Sequence, residues 1–202
     1  NSSDLGVLLR GVPGSAITID VRRPGVKEIK SFKMNRGEIK MSNAPYSGII
    51  RDHVGYVSLT TFTQDAGKNI ADAIKTMKKE DPLLKGVILD LRDNGGGLLM
   101  EAINIVNIFV PNGVEVVSTR GKVRDWDKTF TTQRPALDET LPVVVLINKH
   151  SASASEIVSG AIQDLDRGVI IGQRSYGKGL VQNTKDIGFN SKLKLTTSKY
   201  YI

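Results

Sequence analysis

Two hydrophobic rhythms alternate along most of the chain. Short continuous apolar runs, "GVILDL" at 86–91, "LPVVVLIN" at 141–148 and "RGVIIGQ" at 167–173, read as strands buried on both faces, and "VGYVSLTTF" at 54–62 reads as a further strand. Between them the period lengthens. "AGKNIADAIKTMKKE" sets Ile70, Ala73, Ile74 and Met77 at helical spacing, "LLMEAINIVNIFV" is apolar almost all round and so reads as a buried helix, and Ala154–Leu165 is a third helix. Strands alternating with helices predict an α/β fold around a central, largely parallel sheet.

The ends depart from this rhythm. Leu5–Arg10 reads as the end of a short helix closed by Gly11, followed by two strand-like runs, "SAITIDVRR" and "EIKSFKMNR", joined at Pro24-Gly25. This β-rich piece ends near Arg36, is too small to bury a core alone, and leads into a polar connector at Gly37–Ser47. Between Pro111 and Pro142, a strand-like "VEVVSTRG" and a polar stretch with Trp126 suggest a hairpin or a surface excursion. The last run, "KLKLTTSKYYI", alternates as a strand does. Neither end reads as a natural terminus, so the expectation is a core belonging to a longer protein.

With 202 residues, 40% hydrophobic and 24% charged, the composition is that of a globular α/β domain. The net charge of +7 comes from dispersed lysines and arginines, and aromatics are only 5%, which disfavours a nucleic-acid surface. No apolar run approaches the roughly 18–20 residues of a spanning helix. The chain has no cysteine and only two histidines, His53 and His150, which argues against a metal centre built on thiolates or a histidine cluster. No cofactor is expected.

Three stretches carry candidate chemistry. In "ILDLRDNGGGLL" a buried strand runs into Asn94-Gly95-Gly96-Gly97, and a helix starts at once. Such a turn points several backbone N–H groups outward beside a helix N-terminus, a cradle for a phosphate or a reaction oxyanion. Its bland alternative is a tight loop with no ligand, and the spacing fits neither a dinucleotide fingerprint nor a Walker loop. In "SASASEIVSG", Ser153-Ala154-Ser155-Glu156 is a capping box, and spacing alone favours that role because capping boxes are far commoner than nucleophiles. The same position also lies at the C-terminal end of a parallel strand, where nucleophiles sit. A serine nucleophile requires a base, and neither histidine is suitably placed in sequence. In "SYGKGLVQ", Lys178 between two glycines and before an apolar pair offers an amine that burial can hold unprotonated, although most lysines in such loops are simply solvated.

Taken together and in order, "LDLRDNGGGLL", "SASASEI" and "GKGLVQ" resemble the core of the C-terminal processing peptidases, or tail-specific proteases. The separation of Ser153 and Lys178, 178 − 153 = 25 residues, is that family's spacing and selects the middle serine. The resemblance implies a crotonase/Clp-protease-like core at 37–202, cut short at its C-terminal end, preceded at 1–36 by the C-terminal part of a PDZ-like domain. It implies Ser153 as nucleophile, Lys178 as general base, Gln182 as the residue orienting the lysine, and Gly96 with Ala154 as the oxyanion hole, the exact glycine among Gly95–Gly97 being open. Glu156 and Asp164 match further family positions, Asp164 about three helical turns from Ser153 and so structural. The implied activity is a serine endopeptidase cleaving proteins near their C-termini through a Ser–Lys dyad and an acyl-enzyme. Its implied partners are proteins or peptides with exposed C-termini, with homo-oligomers possible, and its implied location is the bacterial periplasm or cell envelope. The competing classes are a non-catalytic peptide-binding relative and an acyl-CoA enzyme on the crotonase-like fold.

Overall fold

A computed structural model describes residues 2–38 and 42–202, so residues 39–41 of the expected connector lie outside the described residues. The chain divides into two compact units, 1–41 and 42–202. In the first, a helix α1 (Ser2–Leu9) precedes an antiparallel hairpin of β1 (Ala16–Val21) and β2 (Lys30–Asn35). The Arg36 guanidinium ties this unit together by donating to the carbonyls of Leu8 and Leu9 and to the Ser15 hydroxyl. Most side chains of the hairpin remain exposed, as expected for a piece too small to enclose a core.

The second unit is built on a five-stranded sheet in the order β3 (Tyr46–Ile49), β4 (Val54–Ser58), β5 (Gly86–Asp90), β8 (Val143–Ile147), β9 (Gly168–Gly172). β4, β5, β8 and β9 are parallel, and only the edge strand β3 runs antiparallel. The expected α/β class with a largely parallel central sheet is therefore what the chain adopts. β3 lies at the end of the stretch expected to be a polar connector. Four residues with a glycine and a serine give too weak an alternation to show in sequence, and pairing with β4 supplies the missing preference.

The helices are α2 (Ala66–Glu80), α3 (Leu99–Phe109) and α4 (Ala154–Asp164). α2 turns Ala66, Ile70, Ile74 and Met77 inward, and α3 buries seven of its eleven residues, as its nearly unbroken apolar sequence requires. The two helices meet at Gly67, where an added Cβ would lie 2.5 Å from Asn104 Cβ, so only a glycine allows the approach. Glu101 then reaches across to accept the Gly67 N–H at 2.7 Å. The core contains Val57, Leu89, Ile103, Val106, Val145 and Val158, each at most 2% exposed.

A second sheet was not foreseen as such. It is antiparallel, in the order β10 (Leu180–Gly188), β11 (Ser191–Tyr201), β6 (Glu115–Gly121), β7 (Lys128–Thr131). The stretch around Trp126 is a 3₁₀ turn, Arg124–Trp126, closing the hairpin of β6 and β7. β10 and β11 form a long hairpin whose far end is largely exposed. No helix among the described residues is long and apolar enough to cross a membrane.

Candidate active site

The C-terminal ends of β5 and β8, adjacent and parallel, deliver the glycine turn and the serine turn to the same edge of the sheet. Hydrogen bonds knot the two turns together. Leu91 N–H donates to Leu146 O at 2.9 Å, Asp93 and Asn148 exchange bonds of 3.0 and 2.9 Å, and Ala152 N–H donates to Asn94 O at 3.0 Å. Asn94 is wholly buried, its amide donating to Leu59 O at 2.8 Å and its Oδ1 accepting the Gly96 N–H at 2.9 Å.

The three serines have different fates. Ser151 is buried, and its hydroxyl donates to Leu91 O at 2.7 Å and accepts the Asn148 N–H at 2.9 Å. Ser155 is buried, and its hydroxyl donates to Asn94 O at 2.8 Å. Ser153, between them, is half-buried and lines a cavity of about 500 Å³ with Lys178. It has the paired arrangement of a capping box with Glu156, whose N–H also donates to the Ser153 carbonyl at 2.8 Å. The cap is carried by the carboxylate, whose Oε2 accepts the Ser153 N–H at 2.7 Å. Ser153 also stands at φ 58°, ψ −113°, a conformation that costs a non-glycine residue ~1–3 kcal/mol and persists only where its surroundings enforce it.

Gly96 fits against this turn. At φ +95°, its added Cβ would meet Ala152 O at 2.6 Å, Ser153 Cβ at 2.8 Å and Ala154 N at 2.9 Å. Of the expected oxyanion pair, Ala154 N–H, at the first turn of α4, donates to nothing among the described residues, whereas the Gly96 N–H is taken by Asn94. The neighbouring Gly95 and Gly97 N–H groups have no acceptor among the described residues, so donors for an oxyanion are present on both turns.

Lys178 enters from the loop before β10, half-buried, and its ammonium nitrogen makes no ion pair or hydrogen bond among the described residues. Its backbone is held by Glu156, whose Oε2 accepts the Lys178 N–H at 2.9 Å and whose Oε1 accepts the Gly177 N–H at 2.5 Å. One carboxylate thus binds the serine turn and the lysine loop, a function that the capping-box pattern does not reveal. Gln182, past a bulge at the start of β10, lines the same cavity but is exposed and makes no hydrogen bond to Lys178. Asp164 ends α4, exposed, with no partner among the described residues. Neither histidine lines the cavity: His53 Nδ1 is paired with Asp81 at 2.7 Å, and His150 lies exposed on the loop before Ser151. Among the described residues no cluster of histidines and carboxylates could hold a metal ion. Tyr200, on β11, is a cavity residue to which no sequence spacing pointed.

A serine without a protein acceptor, a lysine amine across one cavity and N–H groups on two knotted turns form an arrangement suited to acyl transfer. The chain matches the profile of Peptidase family S41 over residues 53–202. It is 42% identical over 195 residues to a carboxy-terminal-processing protease of Bartonella bacilliformis, covering 96% of this chain and 44% of that one. It is 34% identical over 204 residues to the chloroplastic carboxyl-terminal-processing peptidase 2 of Arabidopsis thaliana, covering 98% of this chain and 39% of that one. The solved structure of a photosystem II D1 C-terminal processing protease superposes with a TM-score of 0.65 at 28% identity, over 98% of this chain and 54% of that one. The chain therefore belongs to peptidase family S41. It spans less than half the length of these two curated relatives.

Proposed function

We propose that this chain forms the catalytic core of a serine endopeptidase that cuts proteins near their C-termini. Lys178, as the neutral amine, takes the Ser153 proton; Oγ attacks the peptide carbonyl carbon, and Ala154 N–H with an N–H of the Gly95–Gly97 turn holds the oxyanion. The lysine proton passes to the leaving amine, and water then releases the acyl group from Ser153. Gln182 orients the lysine from the cavity wall once substrate is bound. The first unit serves as the closing part of a PDZ-like domain that receives substrate tails, and the enzyme works in an exported compartment.

One observation carries this reading: the Ser151 and Ser155 hydroxyls are spent on the backbone, while Ser153 alone of the three faces Lys178 across the cavity. The likeness to carboxy-terminal processing proteases supports the choice of substrate end. The test uses the full-length protein with an unstructured protein substrate. Ser153→Ala and Lys178→Ala variants that melt as the wild type does are each expected to lose cutting by at least about 10⁴-fold. Cutting that survives both substitutions refutes the dyad.

A further inference from the structure

The cavity of Ser153 and Lys178 has another polar wall in Tyr200 of β11. Its place is fixed by pairing: it lies opposite Thr119 of β6, and its N–H donates to Gly179 O at 3.1 Å, so the ring is delivered from a paired strand directly beside the lysine loop. The ring packs on the hydrophobic core, and the hydroxyl oxygen is buried without a hydrogen-bond partner among the described residues. A buried hydroxyl left without a partner is destabilising, and phenylalanine would fill the space without that penalty.

Burial pushes the Tyr200 hydroxyl up to about 12, the Glu156 carboxylate adds to the rise, and the Ser153 side chain opposes it. At neutral pH the hydroxyl keeps its proton and can donate it in a hydrogen bond. Glu156 already accepts three N–H groups, from Ser153, Gly177 and Lys178, and the Ser153 oxygen is a further acceptor beside the Tyr200 hydroxyl.

We infer that Tyr200 is a further catalytic residue, whose O–H donates to Ser153 Oγ and steadies that oxygen whenever it carries negative charge. The inference rests on the Ser153–Lys178 reading. As Lys178 takes the serine proton, Oγ keeps the electron pair that becomes the bond to the carbonyl carbon. When water displaces it, Lys178 takes a proton from the attacking water, Oγ departs with that pair, and the Lys178 ammonium returns the proton to it. Tyr200 keeps its own proton in both steps, and its bond to a charged oxygen is about twice as strong as to a neutral one.

The test compares wild type, Tyr200→Phe and Ser153→Ala in the full-length protein, reading labelling by a fluorophosphonate, kcat and KM on an unstructured protein, and thermal unfolding. In Tyr200→Phe, labelling and kcat are expected to fall about 10–100-fold with KM within about twofold, and Tm to hold or rise. A tyrosine needed only for packing would instead lower Tm and leave the labelling rate intact. Replacing Tyr200 by difluorotyrosine, which keeps the shape and makes the hydroxyl more acidic, is expected to move the alkaline limb of the rate to lower pH. Wild-type labelling in Tyr200→Phe, or an unmoved alkaline limb, overturns the inference while the dyad stands. A wild type that is neither labelled at Ser153 nor able to cut overturns both.

Discussion

The two sides of the candidate active site are built by different means. The serine side consists of two turns at the ends of adjacent parallel strands, with buried Ser151, Ser155 and Asn94 each hydrogen-bonded and Gly96 pressed against Ser153. The lysine side is a loop leading into an exposed hairpin, attached near Lys178 by two N–H bonds to Glu156, one from Tyr176 to Ser151 O at 3.0 Å and one from Tyr200 to Gly179. Strain at Ser153 is sustainable because its frame is rigid; the Lys178 loop is tied by backbone bonds, and its side chain has no partner among the described residues. Under the proposed mechanism the nucleophile is preformed, and activity turns on how firmly Lys178 is brought to it.

The largest break in this comparison comes from the serine side. Gly96→Ala would drive a methyl group into the Ala152 carbonyl and the Ser153 side chain at a φ that L-residues avoid, with backbone rather than flexible side chain in the way. Cutting is expected to fall by at least about 10²-fold and Tm to drop, because the oxyanion donors and the nucleophile move apart together. Unchanged fluorophosphonate labelling in this variant would show that the glycine turn does not press on the nucleophile.

Glu156→Gln sharpens the comparison with a smaller effect. The amide replaces one accepting oxygen by a donor that faces N–H groups, so at least one of the bonds to Ser153, Gly177 or Lys178 is lost. A fall of about 10–100-fold in kcat is expected, with faster amide hydrogen exchange at Gly177 and Lys178 and unchanged exchange within α4. Equal loosening of α4 and the lysine loop would mean that Glu156 serves the helix cap alone.

The sequence made one side far more legible than the other. Buried parallel strands and the helices between them announce themselves by composition and period, so β5, α3, β8 and α4 and the turns joining them could be placed from sequence. Local pattern alone did not distinguish the three serines, and only the family spacing singled out Ser153, since the difference depends on bonds from Ser151 and Ser155 to carbonyls 60 and 61 residues away. β10 and β11 are polar, mostly exposed strands whose partners are each other and the distant β6. Their position over the site is a tertiary fact, and for that reason Tyr200 gave no signal in the sequence and the exposure of Gln182 was not anticipated.

The smallest expected effect concerns the support behind the glycine turn. Asp90, at the end of β5, is buried, which by itself would raise its carboxyl; hydrogen bonds from the Arg92 guanidinium and the Tyr56 hydroxyl outweigh burial and hold it below the usual carboxylate range. A carboxyl depressed in the folded state contributes stability above its unfolded pKa and loses that contribution as pH falls through the folded one. In Asp90→Asn this contribution is gone, so the acid side of the stability curve should be shallower than in the wild type, with the difference between the two greatest near neutral pH and shrinking below the ordinary carboxylate range. Chemical unfolding from neutral pH into that range measures it. Parallel curves for the two proteins would mean that Asp90 is as comfortably ionised in the unfolded chain, and that the turn carrying Gly96 is held by Asn94 and the serine contacts without help from the strand beneath it.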